Sequence, residues 1–168
     1  MKKFLFSLIA LLCCISVSAQ REEGYRGFVD LGYAVSVSEI SDGRITYDVS
    51  NRAMISTTHG YQIIKNLFVG AGVGMTYWHQ ADNGSIGLPI FADVRADFGE
   101  RKLSYFVDLK GGYSVADIQG AYFNPQVGIR LGLTEKFGLN LGIGYQMQKV
   151  KDISGSCDAI TIKLGFDF

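Results

Sequence analysis

From Tyr25 onward, apolar and polar side chains alternate one by one. Tyr25, Gly27, Val29, Leu31, Tyr33, Val35 and Val37 make one face; Arg26, Phe28, Asp30, Gly32, Ala34 and Ser36 make the other. A repeat of two marks a β-strand, whose successive side chains point to opposite sides. The same split recurs over 53–63, 67–78, 88–98, 103–115, 125–133, 137–147 and 159–168. Past Gln20 no stretch keeps a helical period, and no apolar run is long enough for a spanning helix. The pattern predicts eight strands of about the length a tilted membrane strand requires.

The connections alternate in length as well. Segments 38–51, 79–87, 116–124 and 149–158 are longer, whereas 64–66, 99–102 and 134–136 are tight. Long and short connections at opposite ends predict an all-β fold, an eight-stranded antiparallel up-and-down transmembrane β-barrel formed as one domain over 20–168. An even strand count brings both ends of that domain to the short-turn side, the periplasmic side of such a barrel. The prolines, Pro89 and Pro125, are expected near the outer starts of their strands, where a missing amide donor removes least from the ladder.

Alternation alone does not say which face points inward, and a soluble lipocalin-type barrel would be apolar inside and polar outside. Glutamate argues against that arrangement, because Glu22, Glu23, Glu39, Glu100 and Glu135 all fall outside the strands, whereas solvated strand faces normally use them. Glycine argues against it too. Gly70, Gly72, Gly74, Gly128, Gly132, Gly142 and Gly144 share the polar face, as expected where eight strands converge on a narrow interior. Aromatic residues of the apolar face cluster at two heights. Tyr33, Tyr77, Tyr113 and Tyr145 lie near one rim, and Tyr25, Tyr61, Phe98, Tyr105, Phe137 and Phe168 near the other, like the two interfacial girdles of a membrane barrel.

The segment before the strands fixes the expected compartment. Lys2 and Lys3 precede an apolar run from Phe4 to Ile15, and Val17-Ser18-Ala19 is a small-residue cleavage signal, so 1–19 reads as a signal peptide cut after Ala19. The run is too short for a membrane-spanning helix. Leu12 before Cys13, and Cys13 before Cys14, are not the small residue of a lipidation site. Loss of the leader removes two of the 3 cysteines and leaves Cys157 without an intramolecular disulfide partner. The 16 basic and 16 acidic residues balance, and loss of Lys2 and Lys3 leaves a slight acidic excess, so the chain carries no basic footprint for nucleic acid. With 21 Gly, 9 Tyr, 11 Phe and 2 Pro the composition suits short strands and turns.

The last strand places Ile160, Ile162, Leu164, Phe166 and Phe168 at every second position, and resembles the signal read by the outer-membrane assembly machinery. Together with the leader, the Gly-rich run Leu67-Phe68-Val69-Gly70-Ala71-Gly72-Val73-Gly74, the segment Leu88-Pro89-Ile90-Phe91-Ala92-Asp93 and Asn124-Pro125-Gln126-Val127-Gly128, it resembles the small outer-membrane β-barrel family abundant in Bacteroidota, akin to OmpA/OmpX-type porin-family barrels. The resemblance spans nearly all of the chain beyond the leader. It implies fold and outer-membrane location with lipid as solvent, and no single activity, because members share an architecture.

Candidate chemistry lies on the inward face. Arg26, Arg95, Lys110, Arg130 and Lys163 face Asp30, Asp93, Asp97, Asp108 and Asp167, five cations against five anions. Across the turn at 99–102, Arg95 falls opposite or diagonal to Asp108 and Asp93 to Lys110, within reach of cross-strand pairing. Such a set is either an ion pathway or a paired network filling the barrel. We expect the second, because eight strands enclose a space that side chains can fill.

Neither a metal-ligand spacing nor a serine-hydrolase motif is present, so we expect no cofactor and no enzyme. The only base and nucleophile worth weighing for lipid chemistry are His79 and Ser85 near the outer rim, and His79, just beyond Trp78, suits an interfacial anchor better. His59 is expected to be an interfacial polar residue, and Cys157 to lie in the last outer loop as a bystander thiol. The expected function is structural or surface-interacting, through the loops at 38–51 and 149–158; 38–51 serves equally as a plain hairpin extension. A narrow pore and, behind it, a lipid-modifying enzyme are the alternatives.

Overall fold

The computed structural model describes residues 24–37, 40–42, 45–47, 51–79, 84–99, 102–134, 137–150 and 156–168. The expected leader and all five glutamates lie outside the described residues, as does half of the first long loop. Eight strands, β1 (Gly24–Ser36), β4 (Arg52–Ile64), β5 (Leu67–Trp78), β6 (Ser85–Gly99), β7 (Leu103–Ala116), β8 (Gly120–Gly132), β9 (Gly138–Lys149) and β10 (Ser156–Asp167), close into one barrel. Every pairing is antiparallel between neighbours in sequence, and β1 meets β10 to seal the ring. A two-stranded ribbon, β2 (Ile40–Asp42) and β3 (Ile45–Tyr47), extends the connection between β1 and β4. No helix occurs among the described residues.

The strands form where the residues alternate, and the register turns that alternation into two surfaces. Gly24 and Phe168 lie at one end, with the tight turn at Lys65–Asn66; the longer connections lie at the other. These are called here the seam end and the loop end. Outward positions such as Ile90, Tyr105 and Ile162 are more than half exposed, whereas most inward positions are buried and others, chiefly glycines and residues near the rims, are half-buried. Among outward positions of the described strands the only Lys, Arg, Asp or Glu residues are Lys149 and Asp158, both at the loop end.

Inward glycines do more than save volume. A Cβ on Gly72 would come within 2.6 Å of the Phe91 ring, on Gly70 within 2.7 Å of Phe68, and on Gly128 within 2.5 Å of Phe106. Each bare backbone is a seat for a ring, from a neighbouring strand at Gly72 and Gly128 and from its own strand at Gly70. Phe28, Phe68, Phe91, Phe106, Tyr122 and Trp78 are all buried inside, so the interior is an aromatic core threaded with charge, where the sequence pattern suggested chiefly glycine and polar groups.

Three expectations about boundaries are corrected. β6 and β8 begin earlier than expected, at Ser85 and Gly120, so the connection between β7 and β8 shrinks to 117–119. Pro89 and Pro125 consequently stand well inside their strands. Pairing lapses beside each of them: the β5/β6 ladder skips from Val73↔Ile90 to Thr76↔Gly87, and the β8/β9 ladder from Phe123↔Met147 to Gln126↔Gly144. Cys157 belongs to β10 and is buried, not placed in a loop.

Candidate functional site

All ten inward charged residues named from the sequence face the barrel interior, and they separate into layers along its axis. Nearest the seam end, Arg130 clamps Asp167, with Nε donating to Oδ1 at 2.8 Å and Nη2 to Oδ2 at 2.6 Å. Asn140 donates a third bond to the same carboxylate at 2.8 Å. Arg26 reaches Asp97 at 2.5 Å and Asp167 at 3.4 Å, and Arg95 donates to Asp97 at 2.9 Å and to Asn140 at 2.7 Å. Planar guanidinium groups are suited to such forks and also stack on rings. Arg95 lies 3.7 Å from the Phe106 centroid and 4.8 Å from that of Phe28, while Arg26 lies 4.7 Å from Phe28.

Midway along the barrel, Lys110 is surrounded by three carboxylates. Its Nζ donates to Asp30 at 2.7 Å and lies 3.6 Å from Asp93 and 3.7 Å from Asp108. Gln126 donates to Asp108, and Lys163 donates to Asn124. Asp93 and Asp108 each keep one buried oxygen without a hydrogen-bond partner.

Register and contact differ here. Arg95 is paired with Asp108, and Asp93 with Lys110, in the β6/β7 ladder. Yet the Arg95 guanidinium turns to Asp97, Asn140 and the Phe106 ring, and among the described residues forms no ion pair with Asp108. Long side chains cross the narrow interior, so their partners come from several strands rather than from the adjacent position. Lys163, expected to join the ion pairs, is hydrogen-bonded through an amide instead.

Arg52 was missed. It heads β4, faces inward and is fully buried, but it falls between the loop read as 38–51 and the strand read as 53–63. With it, six inward cations face five anions among the described residues. Its guanidinium stacks 4.1 Å from the Trp78 ring and donates to the Cys157 carbonyl at 3.2 Å. Trp78 and Cys157 pack together with Ile118 and Val150 across the loop end.

The two histidines lie on the outer surface. His79 meets the edge of Tyr77 at 5.1 Å, while Ser85 pairs with the inward Trp78 and so takes the opposite face; the structure does not bring His79 and Ser85 together. His59 accepts from Tyr25 at Nδ1 over 2.5 Å, and its Nε2 lies 2.9 Å from Thr57 Oγ1, whose hydroxyl donates to the Phe28 carbonyl at 3.2 Å. That chain assigns the proton to His59 Nε2, which then donates to Thr57. Thr57 sends its own proton to a carbonyl, so the trio is a satisfied interfacial cluster rather than a nucleophile with its base. No group of metal-ligating side chains occurs among the described residues.

The chain matches no family model and no curated protein sequence. Among solved structures it is similar to Neisserial surface protein A, with a TM-score of 0.66 at 12% identity, covering 86% of this chain and 97% of that one. It is similar also to a designed transmembrane β-barrel (TM-score 0.53, 13% identity, 86% and 92% covered) and to the outer membrane enzyme PagL (TM-score 0.53, 11% identity, 84% and 98% covered). The fold is therefore that of the small eight-stranded outer-membrane barrels.

Proposed function

We propose that this chain is a bacterial outer-membrane barrel of the small family abundant in Bacteroidota, with no catalytic or transport activity, whose role is structural or surface-interacting. The carrying observation is the outer surface. Outward positions of the barrel strands are almost all apolar, with Thr57 and His59 bonded to one another on β4, rings mark both rims, and the two charged exceptions, Lys149 and Asp158, sit at the loop end. Such a coat is costly in water and favourable in hydrocarbon, where a closed barrel also satisfies its backbone. In this reading 1–19 is a cleaved leader, the seam end faces the periplasm and the loop end faces outward.

The interior supports a filled barrel over a pore. Rings of Phe28, Phe68 and Phe106 close the seam end among ion pairs, and Trp78 with Ile118 and Val150 closes the loop end. Ile160, Ile162, Leu164, Phe166 and Phe168 form the outward row of β10, in place to be read by the assembly machinery. Contact with a surface partner falls to the connections between β1 and β4 and between β9 and β10, the first of them lengthened by the β2–β3 ribbon.

Fractionation combined with gel migration in mild detergent tests location and fold, because a folded barrel runs differently from its boiled form. Recovery in the soluble periplasm overturns the reading. Single-channel recording of the refolded protein tests the filled interior: we expect no sustained conductance, and steady currents abolished by Asp93→Asn would establish a pore instead.

A further inference from the structure

We propose that the loop end of the barrel binds a phosphate-type oxyanion, held against the Arg52 guanidinium beneath Trp78. Arg52 is fully buried, and both its Nε and its Nη1 lack a hydrogen-bond partner. Among the described residues no carboxylate forms an ion pair with it. The neighbouring Asp158 accepts from Tyr145 at 3.0 Å on the outer surface. The other cation without a carboxylate partner, Lys163, has Asn124 as an acceptor and lies in the layer of the three aspartates; Arg52 occupies a layer whose inward residues include none.

A desolvated guanidinium without an ion-pair partner is unfavourable, and its planar donors match the oxygens of phosphate or sulfate. The surroundings fit that use. The Trp78 ring covers one face of the guanidinium and the Cys157 carbonyl takes Nη2, which fixes the group while two of its three nitrogens stay free. The inward residues around it are small: Ala34 on β1 is paired with Arg52, and on β10 the next inward residue after Cys157 is Ala159. Gln146, paired with Ala159, carries a buried amide oxygen that also lacks a partner. That amide can turn to donate to an anion.

Trp78 is the single tryptophan of the sequence, so its emission reports directly on this site. Refolded protein in a non-ionic detergent is titrated with inorganic phosphate, with chloride at matched ionic strength, and with short-chain phosphatidic acid. We expect a saturable emission change and a raised unfolding midpoint with at least one phosphate probe and neither with chloride. A response to inorganic phosphate identifies a free anion as the ligand; a response to phosphatidic acid alone identifies a lipid headgroup. Arg52→Gln should weaken the apparent affinity by about tenfold or more, and Gln146→Leu, which leaves the guanidinium in place should Arg52→Gln fail to fold, by a smaller factor. No saturable response to either phosphate probe, an equal response to chloride, or variants that bind like the parent overturns the proposal.

Discussion

Phe168 lays its ring on the bare Cα of Gly27, and the two residues exchange backbone bonds: Gly27 N–H donates to Phe168 at 2.8 Å, and Phe168 N–H donates back at 3.0 Å. A Cβ on Gly27 would meet that ring at 2.6 Å. The His59 ring stands edge-on to Phe168 at 6.3 Å, so the seam between β1 and β10 ends in a packed outward cluster.

Gly27→Val is expected to lower stability by about 1–3 kcal/mol, because the ring must leave its seat. In a Phe168→Ala background the same change should cost far less. A double-mutant cycle on unfolding midpoints measures the coupling, and simple additivity would refute it.

Phe168→Ala should reduce outer-membrane levels in cells more than it reduces stability in detergent. One interfacial aromatic contributes about 1.5–3 kcal/mol, which a closed ladder survives, whereas recognition during assembly has no such reserve. Phe137→Ala is the control, an outward ring at the same end but outside β10. Similar modest losses for both would leave only the girdle role.

The Arg130–Asp167 clamp is buried and forked, so Arg130→Ala leaves the buried Asp167 carboxylate with only the Asn140 bond and the longer contact to Arg26. We expect a loss of about 3–5 kcal/mol, against less than about 0.5 for the exposed Lys65→Ala. Equal denaturant midpoints for the two variants would remove the clamp from the stability of the barrel.

Two inward glycines lie beside the same ring with different clearance. Gly128 has no room, with Phe106 at 2.5 Å and the Leu141 carbonyl closer still, while Gly142 meets Phe106 only at 3.2 Å. Gly128→Ala should therefore destabilise by about 1–3 kcal/mol and Gly142→Ala by clearly less. The reverse order of melting would contradict the seating of Phe106.

Cys157 faces inward beside Trp78 and is 6% exposed. Maleimide should label it slowly in the folded barrel and quickly after denaturation. Rapid labelling of the folded form would return the thiol to the surface.

The strands and their two faces were legible in the sequence because a period of two is written residue by residue. Tyr25 to Val37 declares which side chains share a face before any partner strand is known. Boundaries were less legible: Pro89 and Pro125 looked like starts, yet β6 and β8 run through them and simply lose pairing locally. Arg52 went unseen for the same reason, one position outside the strand read from the pattern. The partners of Arg95 could not be read at all, since register names Asp108 while the guanidinium reaches Asp97 and Asn140 across the lumen. Nor did composition show that the inward glycines were places for rings.

The seal between β1 and β10 joins the two ends of the barrel chain, so it is the most distant pairing in the fold and, by loop entropy, the slowest to form. Until it forms, the nascent sheet has two raw edges, each a row of unsatisfied amides and carbonyls able to recruit a strand from another copy. A catalyst that shields those edges and delivers the Phe168 end to Gly27 would set the yield of folded protein in the cell. Folding without such help should lose molecules to clumping in proportion to concentration, long before the finished barrel shows any weakness.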